Sequence, residues 1–428
     1  MLALSFTLPF TACVGDKSPR VFDRNLASHV CEPERLDYKG ASTDLSSAYY
    51  RDERVILQGF NNMYHPTVVK VDDTEYPYRM FLMGWAATMG NVGWPGCDAT
   101  FLMRGKDLYT WEIFCKENRL PNSRSWWEKV DENGNAANVA KWAPVLYADE
   151  SKWYDNWHVG DASVVYMDGM YYLAYSSYNS DIDGIFSWVP GDTDGDLTCT
   201  MAATSTDGIN WIKSESPIII WEPEIGKYEP VTSNGSDFIG KNFYGQPCRP
   251  SIMYDEGKWK IWYDYMVNAR MSTGYAENSG DFLKHEDWVI VKGEGEPAQF
   301  DFCNPEVIKI NGKFLMYGDP SLLHYGVSDQ RIKVAGSDPT EIGWVTRQLT
   351  EAQSLDGINW TVTGWIPPDS DRPANHVPAM YIEDGHLYLF YATQIGYSRH
   401  PEDTTRYEYA YDYLRVARRC VGEITWRV

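Results

Sequence analysis

Residues 160–177, GDASVVYMDGMYYLAYSS, carry the pattern that decides the fold. A small or charged opening leads into a short apolar-rich run, Asp168-Gly169 turns the chain, and an aromatic-rich run returns. Asp-Gly supplies the positive φ angles of a two-residue hairpin turn, so the stretch reads as two antiparallel strands. The unit recurs as HPTVVKV with YRMFLMGW from His65, CRPSIMYDEGKWKIWYDY from Cys248, NPEVIKINGKFLMYGD from Asn304 and VPAMYIEDGHLYLFYAT from Val377. Glu256-Gly257, Asn311-Gly312 and Asp384-Gly385 turn three of these, and only the copy at His65 uses a longer connection, Asp72 to Pro77. Downstream, STDGINW (Ser205 to Trp211) is echoed by SLDGINW (Ser354 to Trp360).

A lone hairpin cannot bury its faces, whereas sheets arranged radially bury theirs against one another and leave only short edges. The 428 residues divide into roughly 86 per unit, enough for four antiparallel strands with loops, and helical periodicity is almost absent. The expected fold is all-β: one five-bladed β-propeller over residues 18–428, each blade a four-stranded antiparallel sheet. The segment around Val21 to Val30 is expected to complete the last blade and bring Cys31 towards Cys420. A β-sandwich is the alternative architecture, and it predicts no fivefold register.

Composition narrows the function. Lys and Arg number 38 against 60 Asp and Glu, a net charge of -22 that repels phosphate backbones and anionic lipid. Nucleic acid is therefore not an expected partner, and no protein partner is evident. The 18 Trp and 30 Tyr exclude a solvated disordered chain and offer rings suited to strand cores and sugar stacking. The opening MLALSFTLPF, followed by Thr11, Ala12 and Cys13, is too short to span a bilayer and reads as a signal segment over residues 1–17. Its TAC resembles the end of a bacterial lipoprotein signal, so the expectation is a secreted protein or a lipoprotein, touching membrane only through an N-terminal lipid anchor. Eight cysteines are too few for a disulfide scaffold. Cys31 with Cys420 and Cys97 with Cys115 are the pairings considered.

The innermost strand of each propeller blade lines the axis, so residues at its leading end converge. Aligned on the Pro that opens each unit (Ala162 replaces it in one), the preceding position holds His65, Asp161, Arg249, Asn304 and Val377. One step earlier stand Tyr64, Gly160, Cys248, Cys303 and His376, and one step after the Pro stand Thr67, Ser163, Ser251, Glu306 and Ala379. Strand alternation puts Asp161 and Glu306 on a common face. Two carboxylates across a funnel are what glycoside hydrolysis needs, one ionised and one protonated. Asp161 is the expected base and Glu306 the expected acid. Arg249 is placed to clamp an anionic group, His65, His376 and Asn304 to contact substrate, and Trp85, Trp157, Tyr244 and Tyr391 to stack on sugar rings.

Structural roles stand beside these: Asp161 capping a turn, Glu306 paired with Arg249, the histidines satisfied in the core, and Cys248 and Cys303 as a rim disulfide or buried thiols. The run DTDGD (Asp192 to Asp196) suggests a structural calcium loop, but its twelfth position is Ala203 rather than Glu, which favours an exposed turn. No GxSxG, HExxH, CxxC, P-loop or dinucleotide fingerprint occurs, so no metal or cofactor is required by the reading.

With its five hairpins, its S-x-DGINW turns and the WAPV stretch at Trp142 to Val145, the chain resembles the five-bladed propeller glycoside hydrolases, families 43, 32, 117 and 130, and family 43 most. The resemblance implies a glycosidase acting on poly- or oligosaccharides, with inversion, through three axial acids: an Asp before Pro in the first blade as base, a second Asp that tunes the acid, and a Glu in the fourth blade as acid. Here His65 stands in the first slot, Asp161 in the equivalent slot one blade later, and Glu306 follows its Pro instead of preceding it. Asp264, Asp301 and Asp319 are the reserve candidates for the missing acid. A non-catalytic glycan-binding propeller and a glycoside phosphorylase, with Arg249 and the histidines holding phosphate, are the alternatives.

Overall fold

A computed structural model describes residues 20–22, 51–59, 63–85, 94–96, 98–118, 122–152, 154–183, 194–220, 244–267, 270–292, 302–320, 349–366, 374–394, 397–399, 407–409 and 412–428. The chain begins with β1 (Val21–Phe22) and β2 (Arg51–Leu57). The first repeat forms β3 (Tyr64–Lys70), β4 (Tyr78–Trp85), β5 (Asp98–Gly105) and β6 (Trp111–Lys116), extended by β7 (Ser125–Lys129) and β8 (Pro144–Leu146). The second forms β9 (His158–Met167), β10 (Met170–Asp183), β11 (Asp194–Ser205) and β12 (Ile212–Lys213). The third forms β13 (Tyr244–Asp255), β14 (Lys258–Val267), β15 (Arg270–Asn278) and β16 (Trp288–Lys292). The fourth forms β17 (Phe302–Ile310), β18 (Lys313–Pro320), β19 (Leu349–Ser354) and β20 (Thr361–Ile366). The last forms β21 (Ala374–Glu383), β22 (His386–Gln394), a side hairpin of β23 (Tyr397–Arg399) and β24 (Tyr407–Tyr409), and β25 (Asp412–Cys420).

The described residues contain no α-helix, and the strands pair in antiparallel meanders of four. The last meander, β21-β22-β25-β2, takes its outer strand from the N-terminal end of the chain. A terminal closure was expected, but from residues 21–30; Val21 and Phe22 instead pair in parallel with Lys309 and Ile310 of β17. Cys420 is disulfide-bonded, and Cys31, its expected partner, lies outside the described residues, as does Cys97. Cys115 is a free, buried thiol, which overturns the Cys97–Cys115 pairing. It faces Trp126 across the β6–β7 pair within the apolar core.

The leading strands of the repeats pack in a circuit: β3 on β9, β9 on β13, β13 on β17, β17 on β21, and β21 back on β3. Apolar clusters fill the spaces between them. Trp111 packs edge-on to Phe390, 6.4 Å apart, and Trp262 lies 5.8 Å from Phe314, each joining two meanders. The Trp142 ring is buried in this core beneath Gly59, whose added Cβ would lie 2.9 Å from it. The WAPV stretch is thus a packing element.

The five leading strands share one irregularity. Tyr64 faces Met83 and Thr67 faces Phe81, so Tyr64-to-Thr67 spans one residue more than its partner strand. The same extra residue occurs between Gly160 and Ser163, Cys248 and Ser251, Cys303 and Glu306, and His376 and Ala379. Each is a β-bulge. Its first residue is left-handed every time: His65 at φ 52°, Asp161 at 51°, Arg249 at 49°, Asn304 at 51° and Val377 at 46°. A branched side chain such as valine rarely takes this conformation, and such residues cost of order 1–3 kcal/mol each. Proline second in the bulge loses nothing, because an unpaired position needs no N–H.

Directly after the bulge runs a relay of hydrogen bonds between repeats. Thr67 Oγ1 accepts from Val164 N at 3.3 Å, Ser163 Oγ from Ile252 N at 3.0 Å, Ser251 Oγ from Val307 N at 3.0 Å, and Glu306 Oε1 from Met380 N at 3.2 Å. Each side chain at the position after the Pro thus caps a backbone donor of the next repeat. Ala379, in the fifth copy, has no group to offer.

Candidate active site

The bulges set the site. They lie between the position before the Pro and the position after it, and Glu306, in the latter position, has partners of its own. Arg20, immediately before β1, inserts its guanidinium into the circuit: Nη1 donates to Glu306 Oε2 at 2.7 Å and to Ser251 Oγ at 3.0 Å, and Nη2 donates to Thr67 Oγ1 at 3.0 Å. Ser251 Oγ in turn donates to Glu306 Oε2 at 3.1 Å. Both of the Glu306 oxygens are therefore engaged, one by Arg20 and Ser251 and the other by Met380 N. Glu306 is thus paired with Arg20 rather than Arg249, in a buried ion pair, with both of its oxygens committed to protein groups.

Asp161 has a different environment. It is 1 % exposed, and its Oδ1 has no hydrogen-bond partner among the described residues. Its Oδ2 lies 3.5 Å from His158 Nε2, while His158 Nδ1 lies 2.6 Å from Asp98 Oδ2. Burial alone would raise the Asp161 proton affinity, but the contact with His158 and the positive charges of His158 and Arg249 outweigh it and hold the carboxyl well below its usual range. Burial lowers the His65 pKa from its ordinary value, against the raising effect of Asp161 and Glu306. Its ring is therefore neutral at pH 7, and its Nδ1 is buried without a partner among the described residues.

Arg249 is the most open member, its side chain one-quarter exposed, with Nη1 3.2 Å from Asp264 Oδ2. Asp264 also accepts from the Asn304 N–H at 3.0 Å and from the Cys248 thiol at 2.9 Å. Fully buried, it is pushed above the usual carboxylate range by desolvation, with Arg249, Cys248 and Asn304 opposing. Cys248 is itself a free thiol that burial keeps protonated, so it forms no rim disulfide with Cys303. Asn304 lies buried at the bulge, its backbone turned to Asp264.

Trp157, immediately before His158, is 43 % exposed. Tyr391 is instead buried, its hydroxyl bonded to Glu53. Trp85 closes β4 opposite Asp98, Tyr244 opens β13 and His376 lies in β21, but their side chains fall outside those described. The same holds for Asp319 and for Asp301. Of the proposed calcium loop, Asp192 lies outside the described residues and Asp194 to Asp196 begin β11.

The structure thus brings together His65, Asp161, Arg249, Asn304 and Asp264, with Glu306 close enough to act on His65, and it adds Asp98, His158 and, on Glu306, Arg20, which the sequence reading missed. His158 carried one signal, standing three residues before Asp161 with glycine between. Arg20 carried none, because its partner is 286 positions away.

No family model matches the chain, and no curated protein does. Among solved structures the fold is similar to Zg3597, a family 117 glycoside hydrolase from the marine bacterium Zobellia galactanivorans, at TM-score 0.50 and 12 % identity over 88 % of this chain and 91 % of that one. It is equally similar to an N-acetylgalactosamine deacetylase from F. plautii in complex with blood group B trisaccharide, at TM-score 0.50 and 14 % identity over 88 % of this chain and 95 % of that one. A thermostable family 43 glycoside hydrolase aligns at TM-score 0.46 and 14 % identity over 86 % and 92 %. Zg3597 belongs to family 117, one of the glycoside hydrolase families that the sequence resembles. At such identities the likeness is one of fold, and two neighbours with different chemistry show that the fold leaves the reaction open.

Proposed function

We propose that residues 18–428 form a five-bladed β-propeller that hydrolyses glycosidic bonds of poly- or oligosaccharides at the mouth ringed by its five bulges. The circuit of leading strands and the five equivalent left-handed residues support the blade count. One observation carries the chemistry: a buried, ionised Asp161 with an oxygen that no group among the described residues engages, beside a neutral His65 whose Nδ1 is equally without a partner among them. Buried polar atoms left without partners are costly unless a ligand completes them. Hydroxyl-rich substrates supply both donors and acceptors, and the two neighbours at TM-score 0.50 are carbohydrate-active by name.

Asp161 serves as the base that takes a proton from water. With Glu306 committed to Arg20, the proton donor passes to Asp264, the cluster carboxyl whose environment favours its protonated form. Two carboxyls pushed in opposite directions is the arrangement that divides base from acid. Arg249 and Asn304 hold substrate hydroxyls, Trp157 stacks on a sugar face, and Trp85, Tyr244 and His376 keep the contact roles expected of them. Inversion is carried over from the family resemblance, and export with an N-terminal lipid anchor from the signal-like residues 1–17.

Product release from a panel of glycans, with the anomer followed by NMR, tests the reading. Asp161→Asn and Asp264→Asn should each lower kcat by about 10²–10⁴-fold, the range of general acid and base contributions, in protein that circular dichroism shows to be folded at the assay temperature. Unchanged turnover in Asp161→Asn removes that residue from the mechanism. The ion-paired Glu306 favours one other reading, a glycan-binding propeller without turnover. Binding of a glycan that is never cleaved would establish it.

A further inference from the structure

We propose that His158 is a positioning residue for the reaction at Asp161: held by Asp98, its imidazolium orients the Asp161 carboxylate and keeps it ionised. The proposal rests on the reading of Asp161 as the reacting carboxylate.

The geometry is that of a buried chain. His158 Nδ1 lies 2.6 Å from Asp98 Oδ2 and Nε2 lies 3.5 Å from Asp161 Oδ2. Asp98, His158 and Asp161 are 2 %, 3 % and 1 % exposed. Carboxylate oxygens stand 2.6 Å from one ring nitrogen and 3.5 Å from the other, and two flanking anions favour the imidazolium over either neutral tautomer. Asp98 and His158 are also register partners, joining β5 of the first repeat to β9 of the second. The ring is therefore anchored by backbone as well as by charge.

Gly160 is an independent sign that room is kept for this ring. A Cβ there would stand 2.1 Å from Met83 Sδ and 3.0 Å from His158 Nε2. Any larger residue drives Met83 or the imidazole aside. Around the chain, β3 contributes His65 and β13 contributes Arg249, both of which act on Asp161, while Glu306 of β17 acts on His65. Burial by itself would lower the His158 pKa. The Asp98 and Asp161 carboxylates outweigh it, raising the ring to about 9. The unpartnered Asp161 oxygen is then the one left for water or a sugar hydroxyl.

The test has two arms. In the intact protein, ¹⁵N-histidine NMR, assigned with His158→Gln, should find both ring nitrogens of His158 protonated from pH 6 to pH 8, with a midpoint near 9. Asp98→Asn should move that midpoint down by about one unit or more. A neutral, single-tautomer ring at pH 7 overturns the proposal, and this arm needs no substrate. In turnover, His158→Gln should shift the acid limb of kcat/KM upward by about one unit or more, and Gly160→Ala should shift it the same way. An acid limb that stays in place in both variants overturns the positioning role even if kcat falls. Absence of cleavage of every glycan by the wild-type protein defeats the hydrolase reading instead, and the NMR arm then decides the state of His158 alone.

Discussion

The Arg20 guanidinium lies 2.7 Å from Glu306 Oε2, with both side chains almost wholly buried. Arg20 belongs to the segment leading into β1, while Ser251, Thr67 and Glu306 belong to three different repeats, so one cation ties the N-terminal segment to the centre of the circuit. Breaking a buried pair leaves an uncompensated charge, which costs about 3–5 kcal/mol, whereas removing both partners is far milder. Arg20→Met should therefore lose about that much in urea unfolding, and Arg20→Met with Glu306→Leu should recover more than half of it. Glu306→Gln should lower the melting temperature by several degrees while holding kcat within about tenfold of wild type, because Glu306 is structural. A collapse of kcat in a stably folded Glu306→Gln would restore the acid role that the sequence first suggested.

The hairpin turns give a backbone-only measurement. Gly169, Gly257 and Gly312 each have φ +78°, and an added Cβ would meet nothing within 4 Å. The residue before each, Asp168, Glu256 or Asn311, is left-handed as well. Alanine at these three positions should cost about 1–2 kcal/mol apiece, the price of the left-handed conformation for a side chain. The three values should agree closely, since no local packing distinguishes the sites. A substitution that costs nothing would mean that its turn is not held in this form.

The relay between repeats predicts an asymmetry. Ser163 Oγ caps Ile252 N, so Ser163→Ala should cost about 1 kcal/mol or slightly more, because a buried N–H loses its acceptor. Ala379 stands at the equivalent place in the fifth copy and is fully buried. Ala379→Ser restores a hydroxyl there and should raise stability by about 0.5–1 kcal/mol. Chemical denaturation of the two variants checks both signs. Destabilisation by Ala379→Ser would count against the equivalence of the five positions.

The contrast between the turns and the bulges explains what was legible. Asp-Gly and Asn-Gly are local signals: the dipeptide's own φ preferences make the turn, so four hairpins could be read without knowing anything distant. The bulges hold the same left-handed angles at His65, Asp161, Arg249 and Val377, where residue type gives no such hint. The alignment on proline found the five bulged positions, but the pairing of Glu306 with Arg20, 286 positions away, left no trace in it. The Asp98–His158–Asp161 chain was hidden by the bulge itself. Residues three apart on a regular strand lie roughly 10 Å apart, and the left-handed residue at Asp161 accompanies a His158 contact of 3.5 Å. The closing strand β2 was anticipated in kind but assigned to residues 21–30, because an outer strand carries little pattern beyond alternation.

The buried imidazolium also makes a prediction about stability. His158 has a folded pKa of about 9, above the ordinary histidine value of 6.5. The folded state therefore holds a proton that the unfolded chain releases near pH 6.5. The stabilisation from this proton is complete below pH 6.5 and is lost as pH rises through 9, a decline on the order of 3 kcal/mol at most. His65, with its pKa lowered, acts in the opposite sense and only below pH 6.5, where the unfolded chain takes up a proton that the native ring refuses. Asp161, with its folded pKa depressed, loses its contribution only in acid, as pH falls through the folded value. Asp264 and Asp155, raised by burial, act in the same sense as His158, so the comparison of wild type with His158→Gln from pH 6.5 to 9 is what isolates the ring. Denaturant midpoints measured across that interval should fall for wild type and run flatter for His158→Gln. Parallel curves for the two proteins would show that the ring carries no extra proton in the native state, and the charge assigned to it would have to be withdrawn.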